Sequence, residues 1–266
     1  MPTTTPRILF LTPQLPYPPE QGAALRNYSL IRQVARRHAV SLLTFAPHGP
    51  ASDDPLLSLC HVLHTVPPPE RSRRDRVHTL ALTRLPDMAE RLQSVPFAEA
   101  LRDLVTREQF DVLQVEGIEM APYAHLVRGW LGDRSPALVF DDHNAEYVLQ
   151  RRACLADVRR PTRWPVAAYS LAQWRRLARF ERAFCREAEV VVAVSEADAG
   201  ALRQLDPSLE PLVVPNGVDT ERYHPGLPDD IPLQHPAVVF TGKMDYRPNV
   251  DAMLWFHGRV WPLVRR

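Results

Sequence analysis

The sequence predicts an α/β fold, a Rossmann-like parallel sheet with helices on both faces. Two observations support this prediction. Short apolar runs alternate along the chain with longer segments whose apolar residues recur at helical spacing. The runs themselves do not alternate apolar with polar residues, which is typical of strands buried on both faces of a sheet.

Runs rich in Val, Ile, Leu or Phe are interpreted as the strands of this sheet. They are Ile8–Thr12, Val40–Phe45, His61–Val66, Asp111–Val115, Ala137–Asp142, Val190–Val194 and Leu212–Val214. Helical spacing predicts helices over Ala23–Arg37, Pro96–Glu108 and Ala172–Ala188. Ser195 is a good N-cap residue, so a further helix is expected over Asp198–Leu205.

The domain organisation is predicted from a cluster of prolines and from the residues that follow this cluster. A cluster of prolines predicts an interdomain linker over residues 211–236, which follows a first domain over residues 1–210. Residues 237–266 offer one strand, Ala237–Thr241, and one helix, Asn249–Val264. Because one strand and one helix cannot bury a core, we expect this segment to be the truncated start of a second α/β domain.

The charges and the cysteines exclude several classes of protein. Lys plus Arg number 32 and Asp plus Glu number 31, so the chain lacks the basic excess of a nucleic-acid-binding protein. Cys60, Cys154 and Cys185 fit neither a disulfide framework nor a metal-ligand spacing. The first residues carry no apolar stretch of signal or membrane-spanning length, so the sequence predicts a cytoplasmic protein.

The turn between the first strand and the first helix is a candidate ligand site. Ligands bind beyond the carboxyl ends of strands in open α/β sheets, and Gly22 at the helix start would let backbone N–H groups approach an anion. The chain has no Gly-x-Gly-x-x-Gly fingerprint and no phosphate loop, so a nicotinamide-dependent enzyme is disfavoured. The alternative is an ordinary strand-to-helix connection.

A polar loop follows the fifth predicted strand. It contains Asp141, Asp142, His143, Asn144 and Glu146. His143 could donate to or orient a substrate hydroxyl, with the neighbouring carboxylates holding it in one tautomer. The alternative is a loop that caps the next helix, for which Asn144 is a good N-cap residue.

Two further segments follow the last strand of the predicted sheet. Asn216 and Gly217 form a strong turn signal. Gly242, Lys243 and Arg247 stand between the strand and the helix of the second domain, which suits a diphosphate. A surface loop with two cations is the alternative. Lys243 is the single lysine of the chain.

Two arginine-rich stretches are candidates for contact with an anionic membrane surface or a lipid-diphosphate acceptor. They consist of Arg71, Arg73, Arg74 and Arg76 after the third strand, and of Arg175, Arg176, Arg179, Arg182 and Arg186 on a predicted helix. A solvated protein surface is the alternative for both stretches.

In their order and spacing, these segments resemble the family-4 retaining glycosyltransferases of the GT-B fold, in particular the sugar transferases of bacterial exopolysaccharide gene clusters. The resemblance runs over the whole chain. It rests on Pro-Tyr-Pro-Pro-x-x-Gly at 16–22, Asp-His-Asn-x-Glu at 142–146, Val-Pro-Asn-Gly-Val-Asp at 214–219 and Thr-Gly-x-Met-Asp-Tyr-x-Pro-Asn at 241–249.

The resemblance implies an N-terminal domain that holds the acceptor and a C-terminal domain that holds the nucleotide sugar. It gives His143 a catalytic position at the transferred sugar, and it puts the donor diphosphate against the Gly22 backbone and the Lys243 side chain. Arg247 is near a second basic position of the family, although Asn249 stands closer to the matching offset. The remaining residues implied to bind acceptor or sugar are Asp142, Asn144, Glu146 and Asn216.

The implied reaction is the transfer of a hexose to a glycan or lipid-linked acceptor in bacterial polysaccharide biosynthesis, with retention of anomeric configuration. The leaving phosphate would take the proton of the acceptor hydroxyl, and no metal or other cofactor is expected. Nucleotide sugar and acceptor are the implied partners. The expected location is the cytoplasm, with peripheral contact at the inner face of the cell membrane.

The family's acidic motif of two glutamates would lie beyond Arg266. The chain alone is therefore expected to be inactive, as a fragment of a longer product, a truncated copy or one subunit of a split enzyme. The alternative function is a non-catalytic binding module that retains only the acceptor-side domain.

Overall fold

The computed structural model describes residues 5–72, 83–158, 161–221, 223–226, 237–242, 244 and 247–265. The chain forms two compact units, Met1–Gly217 and Val218–Arg266. The division falls inside the segment predicted as a linker. Residues 211–217 lie in the first unit and include the last strand of its sheet.

The first unit is built on one parallel sheet of seven strands. The strands are β1 (Arg7–Thr12), β2 (Ala39–Phe45), β3 (Val62–Val66), β4 (Val112–Glu116), β5 (Ala137–Asp142), β6 (Val190–Ala193) and β7 (Leu212–Val213). Their order in the sheet is β3-β2-β1-β4-β5-β6-β7. Because the strand order reverses between β1 and β4, a crevice opens at the carboxyl ends of these two strands.

Helices connect the strands. They are α1 (Gly22–Val34), α2 (Leu56–Leu59), α3 (Asp87–Glu90), α4 (Val95–Arg107), α5 (Ala121–Leu131), α6 (Glu146–Val158), α7 (Trp164–Glu187) and α8 (Glu196–Leu205). Short 3₁₀ turns precede α5 at Ile118–Met120, follow it at Gly132–Arg134 and precede α7 at Pro161–Arg163. At least one helix stands between each pair of consecutive strands, as expected for a parallel sheet, in which neighbouring strands require a crossover connection.

The core lies on both faces of the sheet, and successive residues of β1 show this directly. Leu9 and Leu11 belong to a large cluster that includes Phe97 of α4 and Phe184 of α7. Phe10, which lies between them in sequence, belongs to a separate cluster with residues of α1 and α2. The apolar runs without alternation therefore correspond to strands covered on both faces, as the sequence predicted.

The predicted strands of the first unit are confirmed, and the helices are more numerous than predicted. The sequence analysis does not predict α2, α3, α5 or α6, and α7 begins at Trp164 rather than at residue 172. Apolar residues are spread around α6, so its sequence lacks a clear stripe. Pro165 lies in the first turn of α7, where proline is well tolerated, so it does not prevent the helix from beginning at Trp164.

The second unit contains α9 (Arg247–Trp255), a π-helical turn at Phe256–Val260 and α10 (Trp261–Val264). The predicted strand Ala237–Thr241 is wrong, because this segment has no strand structure and Val239 is 66% exposed. A strand requires a hydrogen-bonded neighbour, and the described residues of this unit contain no second strand. The predicted helix over Asn249–Val264 corresponds to α9, the π-helical turn and α10.

Candidate functional site

A cavity of about 290 Å³ lies at the carboxyl ends of β4, β5 and β6, beside the N-terminus of α1. Its lining residues are Gly22, Ala23, Arg26, Gly117, Glu119, Asp142, His143, Asn144, Glu146, Val194 and Asn216. The structure thus brings together every predicted site residue of the first unit. A larger cavity, about 690 Å³, includes Asp111 and Pro136 at the amino ends of β4 and β5, where ligands of open α/β sheets do not bind.

His143 is bonded to a buried carboxylate that the sequence analysis did not identify. Its Nε2 lies 2.8 Å from Oε2 of Glu116, the last residue of β4, whose side chain is fully buried. Gln114 Nε2 donates to the other oxygen of Glu116 over 3.0 Å. In the orientation that satisfies its neighbours, the Asn27 amide nitrogen donates to Glu116 Oε2 over 2.8 Å. Both oxygens of Glu116 are therefore engaged.

The surroundings of His143 favour its charged form. Burial by itself lowers the pKa of His143 because an imidazolium loses hydration. The hydrogen bond and the negative charge of Glu116, with the charge of Asp141, act in the opposite direction and prevail. The pKa of His143 is therefore raised above its ordinary value of 6.5.

Arg26 connects α1 to β5 and to the end of the first unit. Its Nε and Nη2 each donate to the Asp141 carboxylate over 3.0 Å, and both side chains are almost fully buried. Its Nη1 donates to the carbonyl oxygen of Val214 over 2.9 Å and to Asn216 Oδ1 over 3.0 Å. Burial and the charge of Glu116 raise the pKa of Asp141 to about 6, against the opposing charge of Arg26.

Asp142 has a structural role in the site. Its carboxyl is fully buried, has no hydrogen-bond donor among the described residues, and lies next to the carboxyl of Glu181 of α7. Two carboxyls can bond only if one holds a proton, and burial together with the charge of Glu181 raises the pKa of Asp142 well above 3.8. Glu181 in turn accepts the backbone N–H groups of Glu146 over 2.8 Å and Tyr147 over 3.0 Å.

A contact of Glu181 contradicts the alternative in which Asn144 caps the next helix. The first backbone N–H groups of α6 are satisfied by Glu181, which comes from another helix. Asn144 is exposed at the cavity, and its amide donates to Glu146 Oε1 over 3.4 Å. Burial and the charge of Glu119 raise the pKa of Glu146. Asn144, Glu146 and Asn216 are thus polar residues that line the cavity.

Sequence reasoning missed Glu116, Asn27 and Glu181. A signal for Glu116 existed, because an acidic residue followed by glycine ends the fourth apolar run, at the ligand-binding edge of the sheet. Gly117 has φ 84°, a conformation that favours glycine, and this residue turns the chain away beside the cavity. Asn27 and Glu181 lie inside amphipathic helices, where a polar residue gives no signal of its own.

Among the described residues, one cluster has ligand atoms close enough to hold a metal ion, namely Glu116, Asp141 and His143, within 4.8 Å of one another. Its acceptors are already used, however. Arg26 occupies Asp141, and His143 occupies Glu116. The carboxylate oxygens of the cluster are thus engaged by protein groups.

Several other predicted residues lack a described position or a described side chain. Lys243 and, in the first basic stretch, Arg73, Arg74 and Arg76 lie outside the described residues. Arg247 is the first residue of α9 in the second unit, and its side chain is not described.

Some arginines of the two arginine-rich stretches form ion pairs within the chain. Arg71 pairs with Asp87 over 3.0 Å. On α7, Arg182 and Arg186 both bind the buried carboxylate of Asp206, whose pKa is lowered by these contacts and by hydrogen bonds from Ser208. Within the described part of the chain, no helix is both long enough and apolar enough to cross a membrane.

A second cavity of about 560 Å³ lies on the other side of the segment that leads into α1. Its wall combines apolar groups of Leu15, Tyr17, Phe45 and Pro47 with the polar group of His48. These residues follow β1 and β2 or end them, so the cavity also lies at the carboxyl edge of the sheet. It can accept a partly apolar molecule.

The family model of glycosyltransferase family 4 matches residues 21–222. No curated protein matches the chain significantly. Among solved structures, HepE of Anabaena in complex with UDP and glucose is 17% identical, covering 81% of this chain and 46% of its own, with a TM-score of 0.44. UGT2 of Phytolacca americana, complexed with UDP-2-fluoro-glucose and pterostilbene, is 14% identical. That match covers 80% of this chain and 54% of the UGT2 chain, with a TM-score of 0.45.

A UDP-glucosyltransferase of Polygonum tinctorium capable of glucosylating indoxyl, in complex with 3,4-dichloroaniline, is 16% identical. The match covers 81% of this chain and 53% of that one, with a TM-score of 0.46. The chain spans about half the length of the solved structures that it matches.

Proposed function

The chain belongs to glycosyltransferase family 4, and from this membership we propose that it is the acceptor-side half of a GT-B enzyme that uses a nucleotide sugar. The proposed reaction transfers a hexose, with retention of configuration, to a glycan or lipid-linked acceptor in bacterial polysaccharide biosynthesis. The observation that carries the proposal is the cavity in which His143, backed by buried Glu116, stands beside the N-terminus of α1. Such a cavity can hold a polar ligand at the edge where α/β sheets bind theirs.

In this proposal the donor diphosphate approaches the backbone of Gly22. The helix that begins there has 13 residues, and its first N–H groups and its dipole favour an anion. In the part of the chain that the structure describes, no side chain obstructs the approach, since even an added Cβ at Gly22 would meet no atom within 4 Å. Lys243 and Arg247 stay predicted ligands of the same diphosphate.

The transferred sugar would lie at His143, with Asn144, Glu146 and Asn216 available for its hydroxyl groups. The acceptor hydroxyl attacks on the face that the nucleotide leaves, and a leaving phosphate oxygen takes its proton. The protein then contributes positioning and charge stabilisation, and the proposed scheme uses no metal ion. The partly apolar cavity at Tyr17 and Phe45 suits the acceptor.

We propose a cytoplasmic location with peripheral contact at the inner face of the cell membrane. Support comes from α7, on which Arg175 and Arg179 are exposed. Exposed arginines attract anionic lipid headgroups. The contact would bring a lipid-linked acceptor to the carboxyl edge of the sheet.

The test is isothermal titration of this chain with UDP and with GDP, beside a version extended by the downstream reading frame. Binding by the extended version alone would support an incomplete glycosyltransferase, because the chain spans about half the length of the solved enzymes that it resembles. Binding by neither version would contradict the proposal and favour a non-catalytic binding module.

A further inference from the structure

His143 has two ring nitrogens, and the protein engages one of them. Nε2 lies 2.8 Å from Glu116 Oε2, so a hydrogen on Nε2 is donated to the carboxylate. Nδ1 has no hydrogen-bond partner among the described residues, and the side chain, 13% exposed, lines the cavity. Whether Nδ1 carries a hydrogen decides what His143 can do to a ligand.

The charges packed around the ring answer this question. Arg26 and Asp141 neutralise each other in a buried pair, which leaves the buried carboxylate of Glu116. With a neutral His143, the cluster would hold one uncompensated negative charge out of contact with water, and this is costly. With an imidazolium at His143, the four groups sum to zero. Charge balance therefore favours the imidazolium over a neutral ring beside an ionised Glu116.

We infer that Glu116 is a positioning residue that holds His143 as an imidazolium, with Nε2–H bonded to Glu116 and Nδ1–H presented to the cavity. His143 is then a cationic hydrogen-bond donor and not a general base. It recognises an oxygen with a free lone pair, either a sugar hydroxyl or a phosphate oxygen. The identity of that ligand rests on the proposed function, whereas the charge state does not.

Every element packed against His143 contributes to this balance. Glu116 comes from β4, Asp141 from β5, Glu119 from the turn after β4, and Glu146 from α6. Each of these carboxylates favours a positive ring. Two cations oppose them. Arg26 of α1 is bonded to Asp141 through three hydrogen bonds, and Arg91 pairs with Glu119 over 2.6 Å, so neither is left to repel the ring as a lone charge.

Asn27 supports the same arrangement from α1. Its amide nitrogen donates to Glu116 Oε2 and to the carbonyl oxygen of Ala23, over 2.8 Å and 3.2 Å. The same nitrogen also lies 3.2 Å from His143 Nε2, but an amide NH₂ group has two hydrogens, and the bonds to Glu116 and Ala23 use both. Nε2 of His143 therefore receives no hydrogen from Asn27 and can carry its own hydrogen toward Glu116.

The experiment is NMR of the chain labelled with ¹⁵N-histidine, in which the ring signals of His143 are identified by their loss in His143→Gln. We expect two protonated ring nitrogens on His143 at pH 7. In Glu116→Gln, His143 should be neutral at pH 7, and its titration midpoint should fall by about 1–3 pH units. The matched control is Glu119→Gln, which removes a carboxylate that acts on His143 through its charge alone and is already paired with Arg91, and this variant should lower the midpoint less.

A bare Nδ1 on His143 at pH 7 in the unmodified chain would overturn the inference, because the ring would then be a base. This measurement needs no variant, so it decides the matter even if Glu116→Gln fails to fold. An equal midpoint in the chain and in a folded Glu116→Gln would also overturn it. Both results are independent of nucleotide binding, so a failure of the proposed function is distinguishable from a failure of this inference.

Discussion

Arg26 and Asp141 form a buried ion pair with two points of contact, in which Nε and Nη2 each lie 3.0 Å from a carboxylate oxygen. The remaining nitrogen of Arg26 donates to the carbonyl oxygen of Val214 and to Asn216. One guanidinium therefore fixes three parts of the cavity wall relative to one another: the helix after β1, the end of β5 and the segment after β7. Lysine has neither the planar fork nor enough donors to make these contacts together.

We expect Arg26→Met to destabilise the first unit by about 3–5 kcal/mol, because it leaves the buried carboxylate of Asp141 without a partner. Arg26→Lys keeps the charge but loses the second contact. Its free energy of unfolding should lie between those of Arg26→Met and the unmodified chain. Urea unfolding at pH 7 measures both. The matched control is Arg107→Met, which removes an exposed ion pair with Asp103 and should cost less than about 0.5 kcal/mol.

Equal costs for Arg26→Met and Arg107→Met would contradict the structural role of Arg26. A reduced slope of the unfolding transition would indicate instead that part of the first unit had already opened. The double variant Arg26→Met with Asp141→Asn should recover part of the loss, because no buried charge is then left unpaired.

The fold could be predicted from sequence because β-strands buried on both faces leave a local signal. The run at 190–194 is apolar without alternation, and it forms β6 as predicted. Ala237–Thr241 has the same local signal and forms no strand. The difference is the neighbour: β6 pairs with β5 and β7, whereas the described residues of the second unit supply no partner. Strand pairing is not local, so composition alone cannot decide it.

The part of the candidate site that follows directly from the sheet topology could be predicted from the sequence. His143 and Gly22 meet because both follow strands of one parallel sheet, and the carboxyl ends of such strands lie at the same edge. Glu181 could not be predicted in this way. It reaches Asp142 and the start of α6 from the middle of α7, and that contact depends on how two helices pack.

Gly22→Ala tests the approach of a diphosphate to the start of α1. The added methyl group meets no atom of the described residues within 4 Å, so the stability of the chain should be unchanged or slightly higher. In the extended version, we expect the dissociation constant for UDP to rise about tenfold, because the methyl group separates an anion from the backbone N–H groups. Isothermal titration measures this.

Gly129→Ala is the control for Gly22→Ala, since Gly129 is exposed on α5, its added Cβ also meets no atom within 4 Å, and it is absent from the cavity lining. It should leave UDP binding by the extended version unchanged. Unchanged binding in Gly22→Ala as well would place the diphosphate elsewhere.

Gly117→Ala tests the turn between β4 and the 3₁₀ helix that follows it. Gly117 has φ 84° and ψ 155°, a region essentially restricted to glycine, and an added Cβ would lie 3.0 Å from Glu119 Oε2. The Glu119 side chain can move, so the backbone accounts for most of the cost. We expect a loss of about 1–3 kcal/mol in urea unfolding. Gly129→Ala should instead stabilise α5, and equal values for the two variants would show that the turn is not strained by a side chain.

The buried carboxyls predict a protein that becomes less stable as the pH rises from about 4 to about 7. Burial raises the pKa of Asp142 above 3.8 and that of Glu181 from 4.5 to about 7, although backbone hydrogen bonds oppose the shift of Glu181. The folded state therefore holds protons that the unfolded state has already released. Each such proton lowers the free energy of unfolding by about 1.4 kcal/mol per pH unit across that window. A raised pKa at His143 acts in the same direction.

Asp142→Asn separates this effect from the rest of the protein. Asparagine donates to Glu181 through its amide at any pH, so the difference in unfolding free energy between pH 5.5 and pH 8 should shrink by about 1–2 kcal/mol. Asp103→Asn, which alters an exposed carboxylate, should leave that difference unchanged. Urea unfolding at the two pH values measures all three proteins. If the unmodified chain were equally stable at both values, Asp142 and Glu181 would not share a proton, and the α6 cap would have to be held by a fully ionised pair that burial strongly disfavours.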